Sequence, residues 1–171
     1  MLFPEFRLLP MIPVFHCSII PAFRGDEFSI TDLEVDPAMA VSYERVRVIS
    51  DQRGLVLELL DAEEFGRQKN AHIVVSHPGV VRGNHYHLEG EETVTILGSA
   101  LVRFREDDRI EEATVPDKEA WRFVFPPRVS HAIKNLGREP NILVAFNTVR
   151  HDPENPDTVR DILMEPSQSR G

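Results

Sequence analysis

The sequence predicts an all-β fold, a small barrel or sandwich, on three observations. Short runs rich in Val, Ile, Thr and Phe recur from about Tyr43 to Val149. Turn clusters (DQRG, HPG, DD and PP) punctuate them. Only DAEEFGRQ (Asp61 to Gln68) and DTVRDILM (Asp157 to Met164) carry even briefly helical patterning. Many short strands at such spacing are the signature of sandwiches and barrels.

Residues 1–40 read as an N-terminal arm, available to pack on the barrel or on a partner subunit. Its start, MLFPEFRLLPMIPVF, is apolar but lacks a basic leading region, carries Glu5 and Arg7, and is broken by Pro4, Pro10 and Pro13. That pattern predicts neither a signal peptide nor a membrane span. An early start codon would leave the same residues. Residues 41–171 read as the barrel with a short C-terminal tail. Its strands are VRVI (Val46 to Ile49), LVLELL (Leu55 to Leu60), AHIVVS (Ala71 to Ser76) and TVTIL (Thr93 to Leu97). They continue with ALVRFRE (Ala100 to Glu106), RIEEATV (Arg109 to Val115), WRFVF (Trp121 to Phe125) and NILVAFNTV (Asn141 to Val149). Trp121, Phe123 and Phe125 share one strand parity and read as barrel core.

Bulk properties narrow the function. A chain of 171 residues with 42% hydrophobic content fits one compact domain plus an arm. A net charge of −9 without a basic stripe argues against a nucleic-acid partner. Arginine clusters could still hold a small anion. Cys17 is the single cysteine, so no internal disulfide forms, which fits a reducing, cytoplasmic setting.

The functional signal lies in RGNHYHLEGEE, Arg82 to Glu92. On a strand, His85 and His87 project to the same face. LEG reads as a turn, after which an adjacent strand can bring Glu91 beside them. His131, in FPPRVSHAIKN, follows a proline-marked strand end. Three imidazoles and a carboxylate form a mixed N/O donor set suited to Zn, Fe, Mn, Ni or Co, with a position left open for water or substrate. An isolated HxH is commonly surface decoration. His16, His72, His77 and His151 read as structural, and Glu89 and Glu92 as solvated.

The full spacing resembles the cupin superfamily. Its first motif is met by Gly79, His85, His87, Glu91 and Gly98, where the family places three or four residues between the second histidine and the glutamate. Its second motif is met by Pro126, His131 and Asn135, with Ala120 and Arg128 in place of two glycines. Glycine at the Arg128 position would permit a positive φ. The resemblance implies a double-stranded β-helix or jelly-roll barrel, commonly dimeric, with one divalent metal held by His85, His87, Glu91 and His131. DQRGLVLELL, PGVVRGNHYH, ALVRFRE and DPENPDT are further similar to the C-terminal zinc-binding cupin of capsular polysaccharide epimerase/reductase enzymes. The dTDP-4-keto-sugar 3,5-epimerases are more distant; they work without metal and keep a histidine at the His85 position. Nothing in this sequence forms a dinucleotide-binding βαβ unit.

That resemblance implies zinc, a nucleotide-linked 4-keto deoxysugar as substrate, and epimerisation or isomerisation in surface-polysaccharide synthesis. A metal on the keto oxygen would stabilise the enolate formed when the neighbouring carbon loses its proton. Arg82, Tyr86 and Lys134 flank the motifs and are the candidates for acid/base or diphosphate contacts, although Tyr86 alternates away from the histidines. Two other classes stay open on the same residues: an iron-dependent cupin dioxygenase, and a non-catalytic barrel that binds a sugar or an anion.

Overall fold

The computed structural model of the protein describes residues 41–165. The arm over 1–40, with His16 and Cys17, and residues 166–171 lie outside the described residues. The described chain holds β1 (Ser42–Val46), β2 (Ile49–Asp51), β3 (Gly54–Val56), α1 (Ala62–Arg67), β4 (Asn70–Ser76), β5 (Val81–His87), β6 (Glu92–Leu97), β7 (Ala100–Glu106), β8 (Arg109–Val115), β9 (Ala120–Phe125), β10 (His131–Asn135), β11 (Asn141–Asn147) and β12 (Thr158–Arg160). Every pairing is antiparallel. One sheet runs β1-β9-β6-β11-β4, the second runs β12-β5-β10-β7-β8, and β2 and β3 form a separate hairpin.

The two five-stranded sheets close on one apolar core, as the period-2 patterning dictates. Val94, Ile96, Phe123, Phe125, Leu143 and Ala145 come from the first sheet, and Val102, Phe104, Ala113, Val115 and Ile133 from the second. Phe123 and Phe125 are fully buried and stack at 6.0 Å. Burying each contributes about 1.5–3 kcal/mol. This is the jelly-roll cupin architecture. Among the described residues no helix is long and apolar enough to cross a membrane.

Three elements differ from the sequence expectation. VRVI is not one strand: Val46 ends β1, whose ladder with β9 stops there, and Ile49 opens β2, which pairs with β3 instead. LVLELL contributes strand only as far as Val56, within a hairpin whose Ile49, Leu55 and Val56 stay exposed. DTVRDILM is not helical. Its first residues form β12 on the free edge of β5, and Leu163 and Met164 bury against Ala132 on the outer face of the second sheet. Tertiary bonds explain the outcome. Asn84 accepts from the N–H groups of Leu163 and Met164 at 2.9 and 3.0 Å and donates to the Met164 carbonyl at 2.8 Å. Arg103 donates to the Leu163 carbonyl at 2.7 Å. An eight-residue helix would forgo these bonds and leave the edge of β5 unpaired, and so short a helix has little stability of its own.

Candidate metal centre

The site begins with a kink in β5. Gly83 and Asn84 both have positive φ, 78° and 58°, and the pairing with β10 shifts register between His131 and Ala132. This bulge re-aims the strand, as bulges beside functional sites do. Beyond it, His85 lies directly opposite His131 on β10. The ring centroids of His85 are 5.2 Å from those of His87 and 4.9 Å from those of His131. Gly83 has to be glycine here, because a Cβ would lie 2.8 Å from the His131 carbonyl oxygen.

Glu92 completes the cluster. Its Oε2 is 2.8 Å from His131 Nε2 and 3.5 Å from His87 Nε2. One ligating atom from each of His85, His87, Glu92 and His131 can be chosen so that all lie within 4.8 Å of one another. Glu91, the glutamate singled out from the spacing, sits elsewhere: its carboxylate is 3.4 Å from Arg67. Strand parity explains the exchange. Glu92 shares the inward face of β6 with Val94 and Ile96, so its neighbour Glu91 turns away. Glu92, expected to be solvated, is 5% exposed. Four residues separate it from His87, a spacing the cupin motif also admits.

The surroundings fix the rings. His131 stacks on Phe125 at 4.2 Å and directs Nδ1 at the Val129 carbonyl, 3.1 Å away, which leaves Nε2 for the site. His87 Nδ1 has Asp157 Oδ2 at 3.3 Å and Asn147 Nδ2 at 3.3 Å. Burial, helped by the neighbouring His131, pushes the His85 pKa down to about 4, so this imidazole is neutral at physiological pH. Burial also disfavours a charge on His87, but the carboxylates of Glu92 and Asp157 outweigh it and hold the pKa above the ordinary value. For Glu92, burial opposes ionisation, and the imidazoles of His131 and His87 reverse that and keep it a carboxylate.

These residues fit a divalent metal. His85 Nε2 and His87 Nε2 are buried without a hydrogen-bond partner, and an orphaned buried polar atom is costly unless something else engages it. Bonds of about 2.0–2.1 Å to zinc place neighbouring ligands about 3–4 Å apart, somewhat closer than the 4.8 Å within which these atoms lie. Three imidazole nitrogens and one carboxylate oxygen suit Zn or another borderline transition ion.

His85, His87 and Glu92 form one wall of a cavity of about 380 Å³, with His131 buried behind them. The remaining wall includes Asn70, His72, Asn147, Arg150, His151 and Asp157. His72 and His151 were expected to be structural and instead line this cavity. Arg82, Tyr86 and Lys134 do not. Tyr86 lines a separate cavity with Arg105, Arg128 and Asp161, on the other parity of β5. Arg82 is exposed opposite Ile133, and Lys134 pairs with Val81. Sequence reasoning thus missed Glu92, Asn84, Asn147 and Asp157. Asp157 was visible only as part of DPENPDT, with nothing local to mark it as a neighbour of His87.

The polysaccharide biosynthesis C-terminal domain family matches residues 49–159, well over half the chain. The chain belongs to that family. A UDP-2-acetamido-2,6-beta-L-arabino-hexul-4-ose reductase of Pseudomonas aeruginosa is 31% identical over 131 residues, 75% of this chain and 34% of the relative. The probable low-salt glycan biosynthesis epimerase Agl13 of Haloferax volcanii is 30% identical over 128 residues, 67% of this chain and 81% of the relative. Among solved structures, the capsular polysaccharide assembling protein CapF of Staphylococcus aureus aligns with a TM-score of 0.51 and 27% identity over 68% of this chain and 32% of its own. The chain therefore spans about a third of the length of the reductase and of CapF, and most of the length of Agl13. As a polysaccharide biosynthesis C-terminal domain, its barrel is related to epimerases and reductases of sugar biosynthesis.

Proposed function

We propose that this domain is a metal-dependent epimerase or isomerase acting beside the 4-keto group of a nucleotide-linked deoxysugar. The observation that carries the reading is the convergence of His85, His87, Glu92 and His131, three of which, His85, His87 and Glu92, line an open cavity. The relatives support the substrate class: one is named for a UDP-linked 4-ulose and another as a glycan biosynthesis epimerase. A cavity of about 380 Å³ lies within the range of about 300–1,000 Å³ typical of small-molecule sites, toward its small end. It fits the sugar, with the nucleotide extending toward the rim.

When bound, the metal supplies a Lewis acid for the keto oxygen. The protein's own groups do the rest. Epimerisation needs one group to take a proton from carbon and another, or water, to return it to the opposite face. His72, from β4, and His151, from the loop between β11 and β12, line the cavity and are not among the four ligating residues. We assign them the acid/base role. Arg150, on the same wall, is the cation available to the diphosphate.

The reading also includes a homodimer. Among the described residues β4 pairs with β11 alone, and it carries Ile73 and Val75 at 68% and 53% exposure. An apolar edge of this kind is a template for strand pairing, and a second copy is the occupant proposed.

The deciding experiment incubates zinc-loaded protein in heavy water with dTDP- and UDP-linked 4-keto-6-deoxysugars and follows exchange of the protons beside the ketone. Exchange that disappears with Glu92→Gln supports the reading. No exchange on any of these substrates by the metal-loaded wild type would contradict it.

A further inference from the structure

We infer that Asp157 is a positioning residue for His87: its carboxylate accepts a hydrogen bond from Nδ1–H and so presents Nε2, with a free lone pair, to the metal pocket. The inference rests on the proposed metal reading and goes beyond it to a residue outside the ligand set.

The geometry poses a conflict that only one group can settle. A neutral imidazole carries one ring proton. His87 Nδ1 lies 3.3 Å from a carboxylate oxygen of Asp157 and 3.3 Å from the amide nitrogen of Asn147. Asn147 cannot turn its oxygen to the ring, because that oxygen accepts the Val149 N–H at 2.7 Å. Its amide therefore faces His87 as a donor and favours a bare Nδ1, which would put the proton on Nε2 and block metal binding. Asp157 can only accept, so it favours the opposite tautomer. A second carboxylate, Glu92, has Oε2 3.5 Å from His87 Nε2, but that oxygen is engaged by His131 Nε2 at 2.8 Å. Asp157 Oδ2, at 3.3 Å, is the nearer carboxylate to the His87 ring, and its charge-assisted hydrogen bond, about twice as strong as a neutral one, outweighs the Asn147 amide.

Asp157 is itself held in place. Its two carboxylate oxygens accept the N–H groups of Glu89 and Gly90, each at 3.0 Å, and its carbonyl accepts the Leu88 N–H at 2.8 Å. The next residue, Thr158, pairs with His87 in the β5–β12 ladder. A Cβ at Gly90 would approach Asp157 Oδ2 to 2.8 Å, so the close approach of this turn requires glycine. One carboxylate thus ties the turn after β5, the C-terminal strand and a proposed metal ligand together. Ligating histidines ordinarily use such a partner on the far nitrogen.

The test uses the full chain, Asp157→Asn, and two readouts. Asparagine keeps an oxygen for one of the two turn N–H groups and loses the charge that orients the imidazole proton. In metal-free protein at alkaline pH, nitrogen-15 NMR of the side chain reads the His87 tautomer directly. Chelator competition reads zinc affinity. The wild type is expected to hold the proton on Nδ1. Asp157→Asn is expected to move it to Nε2 and to weaken zinc by about 10- to 100-fold, with a small drop in the melting temperature of the metal-free protein, since one of the two turn N–H groups loses its acceptor. Asp161→Asn is the control, because that carboxylate ties the same tail to Arg105 and Ser130; it should leave both readouts alone. An unchanged tautomer with unchanged zinc affinity in Asp157→Asn overturns the inference, and so does an equal loss in Asp161→Asn. If the wild type takes up no zinc, the proposed metal chemistry falls, while the tautomer readout still decides the role of Asp157.

Discussion

At the scale of single residues, the polar side chains of this core are the ones to which structure and chemistry assign separate tasks. Asn135 is 1% exposed and makes three bonds: its amide donates to the carbonyls of Ser76 and Glu139 at 2.8 and 2.9 Å, and its oxygen accepts the Gly137 N–H at 2.7 Å. Asn135→Ala strands those three backbone groups, at about 1 kcal/mol or more apiece. A loss of about 3 kcal/mol is expected, seen in thermal melts as a drop of about 6–12 °C for a chain of this size. Glu92 is the opposite kind of residue. It is buried beside imidazoles that keep it charged, and its removal is expected to act on metal retention. The sequence showed His85, His87 and His131 through their spacing. Spacing alone picks Glu91 and leaves its neighbour Glu92 solvated, because only the start of β6 fixes that Glu92 is the one that points inward.

At the scale of elements, the bulge in β5 and the loop before β10 set the geometry of the centre. Gly83 takes a φ of +78°, and a Cβ there would press on the backbone of His131 and Ala132. Left-handed backbone costs a residue with a side chain about 1–2 kcal/mol, and crowding adds to that. Gly83→Ala should therefore lower stability by at least about 2 kcal/mol in urea titrations, and it should weaken metal binding by displacing His131. Arg128 presents the reverse case. Its φ is +67°, the conformation for which cupins use glycine at this place, and its N–H donates to the His87 carbonyl at 2.6 Å. Relief of about 1–2 kcal/mol, less about 0.5–1 for the chain entropy of glycine, predicts that Arg128→Gly stabilises by about 0.5–1 kcal/mol. Denaturant midpoints check it. Strand composition made most of this framework legible, since the runs around Val74, Val94, Val102, Phe123 and Leu143 all became sheet. The tail was not legible, because Asn84 and the open edge of β5, distant in sequence, decide that residues 158–160 extend.

At the scale of the whole molecule, a jelly roll closes its core at one end and builds a cavity wall from strands of both sheets. His85, His87 and His131 come from one sheet, and Glu92 and His72 from the other. Such a wall exists only in the folded barrel, so binding of the proposed metal would be thermodynamically linked to folding. The family pattern across residues 49–159 made the barrel and its histidines visible beforehand. The lining by His72, Arg150, His151 and Asp157 depends on how β4 and the β11–β12 loop meet it, which no local spacing encodes. The exposed β4 edge gives a prediction of its own. Replacing Ile73 and Val75 together with lysine should shift a dimer to monomer in light scattering, whereas an unchanged mass would place the contact elsewhere.

The most direct test of the four-residue metal centre is elemental analysis of the purified full chain beside Glu92→Gln and Glu91→Gln. Lost partners outside the ligand set already cost about 10- to 100-fold in affinity, so loss of a ligand should strip the ion. Near-stoichiometric metal in the wild type and in Glu91→Gln, with loss in Glu92→Gln, is the expected result. A wild type that holds no metal after supplementation, or a Glu92→Gln variant that retains it fully, would contradict the account.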